Sequence, residues 1–198
     1  MSNTRIGFAM TGSFCTFAKA FAALKELAQA GYEITPILSF AAAEADTRFF
    51  KREEVLRTLE EYTGRPPLTT LTAVEPIGPK KLLDAYILAP MTGASLGKMA
   101  NGIFDTPALL GAKSHLRNGR PVLIAPSTND GLGAAAENIG KLLAQRNVYF
   151  VPFGQDDPLG KPRSLVADFS LIPQALAAAL AGGQMQPVLL GGLKKAGK

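Results

Sequence analysis

The run Ala85–Asp105, AYILAPMTGASLGKMANGIFD, decides the fold. Ala85 to Ala89 are apolar and strand-like, Pro90 opens a turn of small residues, and Leu96, Met99 and Ile103 then recur at helical spacing. A strand feeding a helix through a small-residue loop is one βα unit, and the same unit repeats on both sides. Upstream, RIGFAM (Arg5–Met10) reads as a short apolar strand, Thr11-Gly12-Ser13 as a turn, and Phe17, Phe21, Leu24 and Ala28 as one face of a helix ending near Gly31. EITPILSF (Glu33–Phe40) is a second strand whose Pro36, lacking an N–H, predicts an edge or a bulge. Between Thr47 and Tyr62, Glu53, Arg57 and Glu61 fall on one side and Val55, Leu59 and Tyr62 on another, which predicts a surface helix stopped by Gly64. The four prolines between Arg65 and Pro79 predict a loop with one short strand near Leu71–Val74. Downstream, the pattern predicts a helix over Pro107–Arg117, a buried strand at Pro121–Ala125, and a helix through Ala135, Ile139, Leu142 and Leu143. A strand at Val148–Val151 and a last helix capped by Ser170, carrying Ile172, Leu176 and Leu180 and closed by Gly182 and Gly183, complete the series. Such alternation implies an α/β fold, a three-layer αβα sandwich with a mostly parallel sheet covered on both faces.

The 198 residues and 20.8 kDa suit one domain over residues 1–190, followed by a basic tail over 191–198. Mean hydropathy is +0.13, and no run approaches the roughly 18 apolar residues of a bilayer crossing. The first residues lack the pattern of a secretory signal and a single cysteine cannot form an internal disulfide, so the expectation is a protein of the reducing cytoplasm. The pI near 9.4 owes much to the tail: Lys194, Lys195 and Lys198 carry three of the five excess positive charges. A basic tail without interleaved aromatic residues points to neither nucleic acid nor membrane.

Ligands of parallel sheets bind beyond the carboxyl ends of the strands. Three loops fall there: Thr11-Gly12-Ser13, Ala89–Ser95 and Ala125–Asn129. The first places backbone N–H groups and a hydroxyl at a helix start, where a phosphate is favoured, and Ser39 at the end of the second strand is placed to add a second hydroxyl. Taken alone, Ser13 is equally a turn cap and Ser39 a strand-end hydroxyl satisfying backbone. Neither the dinucleotide fingerprint nor a P-loop is present.

The run Ala89–Asp105 resembles the signature of the flavoprotein family that includes cysteine decarboxylases and flavin prenyltransferases. The loop Pro126-Ser127-Thr128-Asn129 is similar to the family's Pro-x-Met-Asn motif, with Thr128 in place of methionine and Asn129 kept. The resemblance implies a Rossmann-like flavoprotein fold and an FMN pocket. The phosphate would lie at Gly12, Ser13 and Ser39. Polar contacts to the ring would come from Thr92, Ser95, Asn101 and Asn129, with Lys98, Asp105 and Thr128 at matching positions, while Gly93 and Ala94 let the backbone approach. A narrower resemblance, to the family of dipicolinate synthase B subunits of spore-forming bacteria, rests on RIGFAMTGSFC (Arg5–Cys15), LRNGRPVLIAPSTNDGLG (Leu116–Gly133) and NVYFVPFGQDDP (Asn147–Pro158). It implies a partner, the A subunit of dipicolinate synthase, similar to an NAD(P)-dependent dehydrogenase. It also implies a dicarboxylate substrate bound through Lys98 or Arg163, a mother-cell setting during sporulation, and a homo-oligomer, trimer or dodecamer. An apolar face of Phe14, Phe17 and Phe21, more than one small sheet needs, points the same way.

The chain departs from the decarboxylating relatives in having no histidine between Tyr62 and Tyr86, where their catalytic histidine sits. Its single histidine, His115, reads as a solvated helix residue, Cys15 as a small packed residue, and Asp156 and Asp157 as turn caps rather than a carboxylate pair. No residue declares itself as catalytic and no metal site is indicated. Two other readings stay open at this point: a non-catalytic scaffold with an empty flavin pocket, and an FMN-dependent decarboxylase or prenyltransferase relative.

Overall fold

The computed structural model describes residues 4–191. Lys194, Lys195 and Lys198 lie outside the described residues. Five parallel strands form the centre: β1 (Arg5–Met10), β2 (Glu33–Leu38), β3 (Ala85–Met91), β4 (Val122–Thr128) and β5 (Val148–Phe150), in the order β2-β1-β3-β4-β5. Every residue of β3 and β4 is buried. Successive strand side chains point to opposite faces, so both faces of the sheet are covered, as the continuous apolar runs require. Two short strands, β6 (Phe153–Gly154) and β7 (Leu165–Ala167), add an antiparallel hairpin beside the last residues of β4, where Ser127 and Thr128 pair with Val166 and Leu165.

The covering helices are α1 (Phe17–Gln29), α2 (Phe40–Glu44), α3 (Arg52–Thr63), α4 (Leu71–Val74), α5 (Gly93–Ala100), α6 (Pro107–Leu116), α7 (Ala135–Leu143) and α8 (Ile172–Leu180). α1 packs on α3 and α8, α5 on α7, and α6 across β2, β3 and β4. Among the described residues no helix is long and apolar enough to cross a membrane.

Local chemistry explains where the elements depart from expectation. The second strand stops at Leu38 because Ser39 turns into the N-cap of α2, its Oγ accepting from the Ala42 N–H at 3.3 Å. Pro36 lies on an edge strand, as its missing N–H demands; its carbonyl accepts from Leu68 N–H at 2.9 Å. The surface helix begins at Arg52 and not at Thr47: Asp46 accepts the Arg52 N–H and Glu54 the Lys51 N–H, both at 2.9 Å, while Thr47–Phe50 closes into its own turn. Leu71–Val74 is a helical turn rather than a strand, capped by Thr70, whose hydroxyl accepts from Ala73 N–H at 3.2 Å. Ser170 does not cap the last helix; Asp168 does so for the 3-10 turn before it, accepting from Ser170 N–H at 3.1 Å. The aromatic face of α1 is not surplus either. Phe17 and Phe21 are buried, their ring centroids 6.1 and 5.5 Å from Phe50, which the α2–α3 turn brings over them.

Candidate functional site

The order β2-β1-β3-β4-β5 reverses direction between β1 and β3, and that reversal opens a crevice at the carboxyl ends of the strands. Hydroxyl groups close the loops around it. Thr11, at the end of β1, donates through Oγ1 to the Pro90 carbonyl at 3.0 Å and accepts the Thr92 N–H at 2.9 Å, joining the first loop to the second. The Ser13 Oγ lies 2.8 Å from Ser127 Oγ, and the Thr16 hydroxyl, which bonds Ser13 O at 2.9 Å, also reaches Ser127 at 3.2 Å; these join the first loop to the third. The second and third loops touch at Gly93: a Cβ there would lie 2.6 Å from Thr128 Oγ1 and 2.7 Å from Asp130 Oδ1. Three strand ends are thus held in one rigid rim.

The cleft inside that rim has a volume of about 850 Å³, within the range of small-molecule sites. Of the residues expected to hold a cofactor, it brings together Gly12, Ser13, Thr92, Gly93, Ala94, Thr128 and Asn129. Four others sit outside its wall. Ser39 is buried as the cap of α2. Ser95 is turned to Thr92, whose hydroxyl caps α5 and donates to Ser95 Oγ at 3.0 Å. Lys98 pairs with Asp105 at 2.8 Å, which holds that carboxyl below its ordinary range. Asn101 ends α5, donating to Gly97 O at 2.8 Å and to Asn138 Oδ1 on α7 at 3.2 Å. Arg163 is not on the wall; the cleft's own cations are Lys19 from α1, Arg48 from the α2–α3 turn and Lys161 from the β6–β7 connection.

Ser13 does not cap its turn; its hydroxyl pairs with that of Ser127, either of the two being able to donate. The N–H groups of Phe14 and Cys15, first in the helical segment, have no preceding carbonyl to bond, and both residues line the cleft. Cys15 is exposed there rather than packed, because it falls on the side of that turn away from the sheet. Asp157 caps a turn by accepting from Gly160 N–H at 2.8 Å. Asp156 faces the cleft, its carboxyl held below the ordinary range chiefly by the Ser164 hydroxyl at 2.6 Å. His115 lies away from the cleft and is buried against Pro121, 1% exposed, contrary to the solvated residue expected. Among the described residues no cluster of His, Cys, Asp and Glu is placed to hold a metal. Lys19, Arg48, Phe49, Lys161 and Ser164 were not foreseen. The loop after β2 obeys the same strand-end rule as the three that were, and Lys19 follows Thr16 by one helical turn; both signals were present.

Residues 1–167 match the Flavoprotein family. The chain is 42% identical over 190 residues to the dipicolinate synthase B subunit of Bacillus subtilis (strain 168), covering 96% of this chain and 95% of that relative. The crystal structure of the dipicolinate synthase B subunit from Bacillus halodurans C superimposes with a TM-score of 0.88 at 42% identity, covering 98% of this chain and 100% of that one. Burkholderia xenovorans DmrB, solved in complex with FMN as a cubic protein cage for redox transfer, shares the fold at a TM-score of 0.66 and 17% identity, over 91% of this chain and 97% of its own. The parallel sheet with its crevice between β1 and β3, and a family match over more than four-fifths of the sequence, agree: the chain belongs to the Flavoprotein family.

Proposed function

We propose that this chain acts with a dehydrogenase-like A subunit of dipicolinate synthase, the carrier of NAD(P), to form dipicolinate from a dihydro- or tetrahydrodipicolinate precursor in the mother cell of a sporulating bacterium. Support comes from the 42% identity to dipicolinate synthase B subunits across nearly the whole chain. The observation that carries it is the convergence of three strand-end loops on one polar, cation-rimmed cleft.

FMN fits the donor set of that cleft. Neither packing nor backbone conformation requires glycine at 12, since a Cβ there would meet nothing nearer than 3.5 Å. A residue without a side chain is explained by a ligand lying against the backbone. Gly12 and Ser13, with the N–H groups of the following turn, would hold the phosphate. Thr92, Thr128 and Asn129 would orient the ring edge, and Gly93 and Ala94 would let it close on the second loop. When bound, FMN would supply a ring able to accept two electrons. The chain's own part is binding and orientation: Lys19, Arg48 and Lys161 draw a dicarboxylate in. The two carboxylates in the cleft are already engaged, Asp130 by Thr128 and Asp156 by Ser164, and the cleft holds no histidine. With no histidine there and both carboxylates hydrogen-bonded, the proton acceptor is proposed to come from the partner. We also propose that copies of the chain associate with one another.

The test is dipicolinate formation, followed by ultraviolet absorbance, with each of the two proteins by itself and then mixed in the presence of NAD(P), with and without FMN. Turnover is expected only in the mixture. Full turnover by this chain with FMN alone would refute the division of labour, and full turnover by the partner alone would make this chain a scaffold.

A further inference from the structure

The α2–α3 turn carries two adjacent phenylalanines that go opposite ways. Phe50 turns inward onto Phe17 and Phe21, whereas Phe49 remains 45% exposed at the cleft. The turn that enforces this is tight: Thr47 Oγ1 accepts from the N–H groups of both Phe49 and Phe50 at 3.1 Å, and Thr47 N–H bonds Phe50 O at 3.0 Å. Arg48 sits at its tip with the guanidinium carbon 4.8 Å from the centre of the Phe49 ring. Neighbouring cations are already used: Lys51 reaches Asp46, and Arg52 donates to Ala43 O at 3.0 Å. Among the described residues the Arg48 side chain has neither an ion pair nor a hydrogen bond, and the same holds for the side chain of Lys19, which also lines the cleft.

We propose that Arg48, held on the Phe49 ring, is the carboxylate clamp of this cleft and reads a planar dicarboxylate, with Lys19 supplying the second positive charge. A guanidinium stacked on an aromatic ring loses side-chain freedom but keeps its in-plane N–H fork free, and that fork matches a carboxylate in two parallel hydrogen bonds. Phosphate offers similar oxygens, but the flavin phosphate has its own cradle at Gly12 and Ser13, leaving Arg48 for the substrate. The proposal rests on the functional reading above for the class of substrate. Arg48 binds, and Phe49 is a positioning residue.

Calorimetric titration of the full chain with dipicolinate and with benzene-1,3-dicarboxylate, which has the same shape without the ring nitrogen, tests it; benzoate serves as the one-charge control. Both side chains are exposed, so their variants fold. Arg48→Ala is expected to weaken both dicarboxylates by about tenfold or more, as the loss of a charge-assisted pair implies, with Arg48→Lys in between. FMN affinity, read by flavin fluorescence, stays within about twofold. Phe49→Leu weakens them several-fold and Phe49→Tyr restores them, whereas Lys19→Ala costs dicarboxylate binding and spares benzoate. Equal dicarboxylate affinity in Arg48→Ala and the parent overturns the clamp, as does an equal loss of FMN, which would make Arg48 a phosphate ligand. If the mixed proteins make no dipicolinate while the Arg48 effect on benzene-1,3-dicarboxylate persists, the functional reading falls and the clamp stands. If synthesis proceeds and Arg48→Ala keeps the parent KM, the reverse holds.

Discussion

Burial holds His115 neutral. Its Nε2 lies 3.1 Å from the Pro121 carbonyl and therefore carries the proton, leaving Nδ1 buried with no partner among the described residues. Loss of solvation pushes its pKa down to about 4, Arg120 adds to the shift, and the Pro121 bond and Asp84 oppose it. In the unfolded chain the same imidazole titrates near its ordinary 6.5. The unfolded state thus binds the proton first as pH falls, so the stability His115 contributes is complete above about 6.5 and is lost on the way to about 4, about 3 kcal/mol in all. Asp84 and Asp156, whose carboxyls are held below their ordinary range, lose their contributions only at lower pH. Urea midpoints at pH 7 and 4.5 should fall steeply in the parent and much less in His115→Gln, whose amide can still donate to Pro121. Equal falls would assign the acid sensitivity elsewhere. At the other end of the strands, a Cβ on Gly12 would make only ordinary contacts, 3.5 Å from Ala41 Cβ and 3.6 Å from the Phe14 ring, so Gly12→Ala is expected to leave the melting temperature nearly unchanged and, with the phosphate proposed to lie against this loop, to weaken FMN by about tenfold. Unaltered flavin affinity would remove Gly12 from the phosphate site.

Two helices show how the same residue type serves opposite ends. In α6, Gly111 faces β3 so closely that a Cβ would lie 2.5 Å from the Tyr86 hydroxyl, which itself donates to Ala108 O at 2.8 Å. In α7, Gly140 is exposed, and a Cβ there would meet nothing within 4 Å. Gly111→Ala should therefore cost about 1–3 kcal/mol by forcing helix and strand apart. Gly140→Ala should gain about 0.5–1 kcal/mol by reducing the freedom of the unfolded chain. Thermal melts of the two variants check both signs at once; a stabilised Gly111→Ala would mean that α6 is free to shift on the sheet.

For the whole molecule, association of copies cannot rest on the phenylalanines of α1, since Phe17 and Phe21 are consumed within the fold. The most exposed large apolar side chains among the described residues are Leu159 at 98%, with Leu189, Leu132 and Ile103 about half exposed. Burying such side chains on a second copy would return about 1.5–3 kcal/mol each. Light scattering at micromolar concentration is expected to give a mass that is a multiple of 20.8 kDa. A monomer would refute the association of copies.

The alternation of strands and helices was legible in the sequence, as were the crevice loops at Gly12, Thr92 and Asn129, because apolar periodicity and strand-end turns are local properties and the parallel sheet follows from them. The starts of α2, α3 and α4 were not, since each depends on which polar group captures a free N–H: Ser39, Asp46 with Glu54, and Thr70. The burial of His115, the exposure of Cys15, the pairing of Lys98 with Asp105 and the placing of Arg48 over Phe49 were settled only by the tertiary structure. The sequence determined which groups were available. Which of them met, and which were left free to bind something else, depended on segments far apart in the chain packing around one sheet, and no local pattern carries that information.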